Sequence, residues 1–201
     1  TNVGVHPSHV ALRTFAFNDQ VAFPWFAPAG FQRGIVQNAT SVGYVDATSG
    51  EYVPVTLNEG QRDTLYLNKV NPIAQFPGRG LAVFGQKTLN PTASALDRVN
   101  VARLIVYLRE RLDDIVKPFL FEPNDALTRA KAKNVVDSLL SNLVIQRGLF
   151  DFVTVCDTTN NTPARIDRNE LYIDIAIQPV KAVEFIYIPI RIQNTLGSSG
   201  S

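Results

Sequence analysis

The sequence contains no methionine, a single cysteine at Cys156 and only two histidines, His6 and His9. One cysteine excludes a disulfide within the chain and a thiolate metal cluster, which fits maturation in a reducing cytoplasm. The two histidines could hold a metal ion only with further ligands, and no other His or Cys stands near them, so an exposed N-terminal segment is the better interpretation. The lack of methionine predicts a processed form or a fragment, with residues N-terminal to Thr1 missing.

Strong charge and long apolar runs are also absent. The chain has 19 Lys and Arg against 18 Asp and Glu, so its formal net charge is +1. This balance does not call for a nucleic-acid or membrane partner, and neither is expected. No stretch of eighteen apolar residues and no charged-then-apolar leader occurs, so no membrane span or signal peptide is predicted. The hydrophobic fraction of 45% is that of an ordinary globular domain.

Two long helices are the strongest structural signal. The first is predicted over Leu96–Lys117, with a possible capping box at Ser94 and Asp97 and a stop at Pro118. Its apolar residues recur in steps of four and three and form one stripe: Val101, Ile105, Leu108, Leu112 and Ile115.

The second helix is predicted over Asn124–Arg147. Asn124 is the expected N-cap, and Gly148 is the expected left-handed residue that ends the helix. Early in this helix Arg129, Lys131 and Lys133 form a basic cluster. Most such clusters are solvated surface, but a positive face on a stiff helix could also dock against an acidic partner.

Strand signals surround these helices. Residues 1–56 are predicted to be irregular and strand-like, Asn58–Lys69 a short helix and Arg79–Gly85 a buried strand. After the second helix, strands are predicted over Phe150–Cys156, Leu171–Ile177 and Val183–Ile192. The fold class is therefore α+β, with a mixed β-sheet packed against the two long helices and a C-terminal edge strand. The expected core contains Ile105, Leu108, Leu140, Phe152 and Ile175.

The last predicted strand carries the clearest functional signal. Its isoleucines alternate along one face, and Pro189 lacks an amide hydrogen, which confines the strand to a sheet edge, a strand start or a bulge. Such an edge is either shielded by a loop of its own chain or paired with a strand of another chain, and the residues alone leave both open. The candidates for inter-subunit pairing are Glu184, Ile186, Ile188, Pro189, Ile190 and Ile192.

No catalytic residue or cofactor is predicted. The nearest approach to a catalytic motif is Gly80–Thr88, which has two glycines followed by a lysine and a threonine. In a phosphate-binding loop the lysine follows the second glycine directly and a helix begins at once. Here Gln86 separates Gly85 from Lys87, and Asn90-Pro91 prevents an immediate helix. A nucleotide-binding enzyme is therefore only the remote alternative.

Six stretches of the sequence carry a family resemblance. They are Phe23–Gly34, Asn71–Ile73 with Gly80–Leu89, Arg98–Leu104, Phe121–Asn124, Val155–Asp157 with Asn160–Thr162, and Gln178–Phe185. Taken together and in order, they resemble the C-terminal domain of contractile-tail sheath proteins. The chain departs from the family pattern at Phe84, where tryptophan is common, at Ala102, where arginine is common, and at Val183, which separates Ala182 from Glu184. These departures indicate a divergent member.

The resemblance implies a structural subunit and not an enzyme. Such subunits polymerise helically around an inner tube and contract to drive it through a target cell envelope. The implied partners are identical subunits, the inner tail-tube protein, and baseplate and tail-terminator proteins, in a virion tail assembled in the host cytoplasm. A bacterial secretion sheath or bacteriocin remains the alternative machine.

The resemblance also implies a division of the chain and a tube-facing surface. Residues 1–22 would be an extended N-terminal segment, 23–192 the sheath C-terminal domain and 193–201 a flexible tail, with the outer domains of a fuller chain missing from a stable core fragment. Arg129, Lys131 and Lys133 are the tube-facing candidates, and Arg129 and Lys133 are expected to be exposed.

Overall fold

A computed structural model describes residues 3–189. The described chain is α+β, as predicted. Its helices are α1 (Pro7–Val21), α2 (Gly30–Arg33), α3 (Glu59–Leu67), α4 (Val99–Val116), α5 (Ala126–Ile145) and α6 (Pro163–Ile166). Its strands are β1 (Gly43–Val45), β2 (Tyr52–Pro54), β3 (Ile73–Phe76), β4 (Gly80–Val83), β5 (Leu149–Val155) and β6 (Asp174–Pro179).

The two long helices form close to the predicted positions, but their first turns differ. Ser94 makes no capping hydrogen bond from its side chain; a 3₁₀ turn over Ala95–Asp97 comes first, and Arg98 is the N-cap of α4. In α5 the cap is Asp125 and not Asn124, because the Asp125 carboxylate accepts the Thr128 amide at 2.8 Å. A carboxylate satisfies the free amides of the first turn and suits the positive helix end, which a neutral Asn124 side chain does less well.

The core lies between these helices and the β5–β6 pair. Leu108 and Leu140, both predicted, are buried in it, whereas Phe152 and Ile175 are half-buried and pack against it from the strands. Ile105 is also half-buried and lies outside this cluster. The buried members are Trp25, Leu104, Leu108, Val136, Leu140, Leu143 and Leu149.

The end of α5 differs from the prediction in one residue. Arg147, and not Gly148, has the left-handed backbone, with φ 61°. Gly148 is needed for another reason, because a Cβ there would lie 3.1–3.2 Å from the indole ring of Trp25. That ring cannot retreat easily, since its Nε1 donates to the Gln146 carbonyl at 3.0 Å. Gly148 therefore makes room for the indole ring of Trp25, and Arg147 adopts the left-handed conformation.

The expected single mixed sheet is wrong for the described residues. Every strand there belongs to a two-stranded antiparallel pair: β1 with β2, β3 with β4, and β5 with β6. Strand β6 begins at Asp174, later than predicted. The backbone at Tyr172 is held instead by side chains, because its amide donates to Asn161 Oδ1 at 2.7 Å and its carbonyl accepts from Asn160 and Asn161.

The two ends of the chain also differ from the expectations. Residues 1–22 were expected to be extended, but Pro7–Val21 form α1, with Pro7 in the first turn and His6 as the N-cap. Val183–Pro189, predicted as strand, have no regular secondary structure. The rest of that predicted strand, 190–192, and the predicted tail, 193–201, lie outside the described residues.

Candidate interface at the C-terminal arm

Residues Phe185–Pro189, which we call the arm, extend from the body of the domain, and their side chains are exposed. Ile186 and Ile188 are 79% and 77% exposed, and Phe185 and Tyr187 are exposed as well. Among the described residues the arm makes no backbone hydrogen bond. Four consecutive large apolar side chains that are exposed together are typical of an interaction surface. Ile190 and Ile192, also predicted to pair between subunits, lie outside the described residues.

Glu184, predicted as a pairing residue, is held by its own chain. Its carboxylate accepts two hydrogen bonds from Arg98, at 2.6 Å from Nε and 3.1 Å from Nη2, and one from Gln86 Nε2 at 3.3 Å. The Tyr66 side chain also lies near this carboxylate and helps to lower its pKa. Burial raises the pKa of Glu184, but the bonds from Arg98 and the nearby Tyr66 outweigh it and hold that pKa below its usual value. Burial and then the nearby Glu184 carboxylate raise the pKa of Tyr66.

The Gly80–Thr88 run supports this cluster and is not a phosphate cradle. Gly80 opens β4, as the predicted buried strand requires. The Lys87 ammonium donates to the Tyr66 carbonyl at 2.7 Å and lies 4.2 Å from the centre of the Tyr66 ring. The Lys87 amide donates to Asn71 Oδ1 at 2.7 Å. The lysine that a nucleotide site would need is therefore committed to a structural contact.

The β5–β6 pair has two outer edges beside which no further strand of residues 3–189 lies. Each of the two strands has one partner among residues 3–189, so the outer edge of each strand is open. On β5 the side chains of Phe150 and Val153 are exposed. An open strand edge flanked by exposed apolar side chains can accept a further strand.

The basic cluster on α5 is not the exposed face that the sequence predicted. Arg129 is only 8% exposed, and its Nη1 donates to the carbonyl and to Oδ1 of Asn124, both at 3.1 Å. Lys133 is half-buried and forms an ion pair with Asp137. Of the three tube-facing candidates, Lys131 is exposed, and the side chain of Lys133 is 40% exposed beside Asp137. The expected exposure of Arg129 is therefore wrong, whereas Lys133 is exposed in part.

The remaining reactive side chains have structural surroundings. The ring of His6 accepts the Ser8 amide at the start of α1, so His6 acts as a helix cap. Cys156 is a buried free thiol, and burial raises its pKa. Within residues 3–189 no three His, Cys, Asp or Glu side chains converge as a metal site would need. No helix in this range is both long and apolar enough to span a membrane.

Comparison with known proteins shows the family of this chain. The family model of the phage tail sheath C-terminal domain matches residues 92–193, about half of the chain. The chain belongs to that family. The tail sheath protein of Vibrio phage KVP40 is 40% identical over 171 residues, and that of Enterobacteria phage T4 is 34% identical over the same length. The chain spans only 24% of the length of each of these two relatives.

Solved sheath structures share the fold. The helical sheath of the anti-feeding prophage in its contracted state superposes with a TM-score of 0.80 at 21% identity, covering 95% of this chain and 52% of that one. The contracted sheath complex of PVC, an extracellular contractile injection system, gives a TM-score of 0.78 at 21% identity over 96% of this chain and 52% of that one. At such identities the likeness concerns the fold.

The sequence did not reveal which residues hold Glu184. Arg98 lies 86 positions before Glu184, and Gln86 lies 98 positions before it. Arg98 and Glu184 stand in two of the six stretches that resemble the sheath family, but no periodicity links stretches so far apart. The only available signal was that a carboxylate beside an apolar arm needs a partner if it is to be buried.

Proposed function

We propose that this chain is part of the structural subunit of a contractile tail sheath of a bacteriophage. The subunits polymerise around an inner tube, and their contraction drives the tube through the target cell envelope. The observation that carries the proposal is the arm, an apolar segment that has no backbone partner among residues 3–189, in a chain of the tail sheath family. The partners are identical subunits, the tube protein, and baseplate and terminator proteins, and the location is the virion tail, after assembly in the host cytoplasm.

The arm is the strand donor of this assembly, and an open edge of β5–β6 on a neighbouring copy is the acceptor. Donor and acceptor both present unused backbone groups and exposed apolar side chains, notably Ile186 and Ile188 on the arm and Val153 on β5. Burying one isoleucine contributes about 2 kcal/mol at about 25 cal/mol per Å². Backbone ladder bonds to the acceptor edge then supply affinity, while the alternating side chains set the register and the specificity.

Contraction needs no enzymatic step at this domain. The energy would come from a difference in subunit packing between an extended and a contracted state, as in other switches between two packed arrangements. Lys87 and Tyr66 bond to each other where a nucleotide-binding loop would be sought, which supports this view.

A phage tail is favoured over a bacterial injection machine by sequence. Relatives at 30–40% identity are phage tail sheath proteins, whereas the two injection-system sheaths stand at 21%. The tube contact is also proposed, with Lys131 as the exposed member of the basic cluster.

The test is polymerisation of the full-length protein, followed by electron microscopy. Ile186→Lys with Ile188→Lys places two charges on the arm. Since both positions are exposed in the single chain, the double variant should fold normally yet form few or no tubes. The matched control is Leu67→Lys, an equally exposed apolar position at the end of α3, which should leave tubes unchanged. Normal tubes from the arm variant would overturn the arm as donor.

Truncation gives a second test of the same proposal. Deleting residues from Gln193 onward should spare folding of the subunit but impair polymerisation, because the tether is shortened. Polymers of normal length from the truncated full-length protein would show that the tail has no part in assembly.

A further inference from the structure

Glu184, the residue just before the arm, is bound by the body of the domain, while its two neighbours along the chain are exposed. Its side chain is 17% exposed, whereas those of Val183 and Phe185 on either side are exposed. No backbone hydrogen bond joins 181–189 to the rest of the described chain, the last being from the Val180 amide to the Gly148 carbonyl. Among the described residues, the hydrogen bonds that join the root of the arm to the body are therefore side-chain bonds of Glu184.

The receptor for Glu184 is assembled from three parts of the fold. Arg98 is the N-cap of α4, Gln86 follows β4 and Tyr66 lies in the last turn of α3. Arg98 is itself oriented, because its Nη1 lies 3.0 Å from the Asp97 carboxylate. A planar guanidinium that binds a carboxylate through two nitrogens fixes orientation as well as distance. The receptor thus sets both where the arm starts and which way it points.

We propose that Glu184 and Arg98 form a pin that fixes the direction in which the arm leaves the domain, and that this direction places the arm on the neighbouring subunit. The inference rests on the proposed function. It extends that function from the arm residues that pair with a neighbouring subunit to Glu184 and Arg98, which set the direction of the arm. Arg98 caps α4, whose Leu104 and Leu108 are core residues. A force on the arm would therefore reach the core through the contact between Glu184 and Arg98, because no β-ladder joins the arm to the body among residues 3–189.

A spin-label distance measurement on the single chain tests the pin. One nitroxide is attached at Ile188→Cys on the arm and one at Ser141→Cys on the exposed side of α5, with the buried Cys156 replaced by Ala. The reference chain should give a narrow distance distribution. Glu184→Gln removes the charge but keeps the shape, and it should at least double the width of the distribution.

The pair is isolated by a double-mutant cycle and a matched control. Arg98→Gln should broaden the distribution as much as Glu184→Gln, and the double variant should be no broader than either single one, because both remove the same bond. Glu170→Gln is the control, since Glu170 also binds an arginine, Arg168, through two bonds of 2.9 and 3.0 Å, but on an exposed loop. This control should leave the distribution unchanged. Cooperative thermal unfolding of each variant, with a midpoint well above the temperature of the measurement, would show that no variant has unfolded.

Two results would overturn the pin. One is a distribution already broad in the reference chain, and the other is a distribution that Glu184→Gln leaves unchanged. In the full-length protein, Glu184→Gln should lower tube yield at least fivefold while an arm peptide still binds isolated subunits; unchanged yield would contradict the aiming role. If no form of the protein polymerises, the proposed function fails, and the distances on the single chain still decide whether the pin exists.

Discussion

The backbone at the end of α5 gives a sharp prediction, because Arg147 adopts the left-handed conformation that was expected of Gly148. Arg147 has φ 61°, a conformation that costs a residue with a Cβ about 1–2 kcal/mol. We compare Arg147→Ala with Arg147→Gly, so that the side chain is lost in both. Glycine relieves the backbone strain but has about 0.4–1 kcal/mol more unfolded-state entropy to lose. The glycine variant should therefore be more stable than the alanine variant by about 0.5–1 kcal/mol.

Position 148 completes the test through a different cause. Gly148→Ala places a methyl group 3.1–3.2 Å from Trp25, whose ring stacks on Phe23 with centroids 4.8 Å apart. Crowding of a packed site should lower the free energy of unfolding by about 1–3 kcal/mol. Urea denaturation monitored by the single tryptophan measures all three variants. An alanine at 147 that is as stable as glycine would refute the reasoning, since helix propensity favours alanine wherever the backbone is right-handed.

Three further predictions follow from burial and charge. Leu140→Ala should lower the free energy of unfolding by about 2–5 kcal/mol, measured by urea denaturation, whereas the exposed Leu127→Ala on the same helix should change it by less than about 0.5 kcal/mol. The pKa of Glu184 is lowered in the folded chain, so its contribution to stability is complete above the unfolded pKa of about 4.3 and is lost as the pH falls through the folded value. Glu184→Gln should therefore flatten the acid limb of a thermal-midpoint profile between about pH 5 and 2; an unchanged slope would contradict the ion pair. Burial raises the pKa of Cys156, so at pH 8 iodoacetamide should alkylate it at least about tenfold more slowly in the folded chain than in urea, and equal rates would show an accessible thiol.

The long helices could be predicted because their signals are local. An apolar stripe and a breaker such as Pro118 lie within a few turns of the residues that they organise. The spacing of the apolar residues along α5 could also have shown that Arg129 is not exposed. Arg129 precedes Val136 by seven positions and Leu140 by eleven, so it continues the buried stripe of α5 and could not be fully exposed. Helix α1 was missed although Pro7 stands where a first helical residue tolerates proline.

The sheet was harder to predict, because strand pairing joins residues far apart. Alternation shows which residues share a face but not which partner lies beside them. The chain forms β5–β6 in agreement with the pattern, although Asn160 and Asn161 hold the start of the second predicted strand in a loop. The contact between Arg98 and Glu184 leaves no pattern in either segment.

The arm has the sequence pattern of a strand but no strand partner among residues 3–189. Ile186 and Ile188 alternate as in a buried strand, yet both are exposed and form no ladder with any part of residues 3–189. A two-stranded hairpin is marginal in water, and a strand without a partner is less stable still, so the pattern favours pairing with residues outside 3–189 or with another chain. Under the proposed function, burial of the two isoleucines against a neighbouring subunit would contribute about 4 kcal/mol, at about 2 kcal/mol each. A bidentate charged contact at Glu184 is worth about 1.5–3 kcal/mol, so the root of the arm can stay fixed while its outer residues exchange partners.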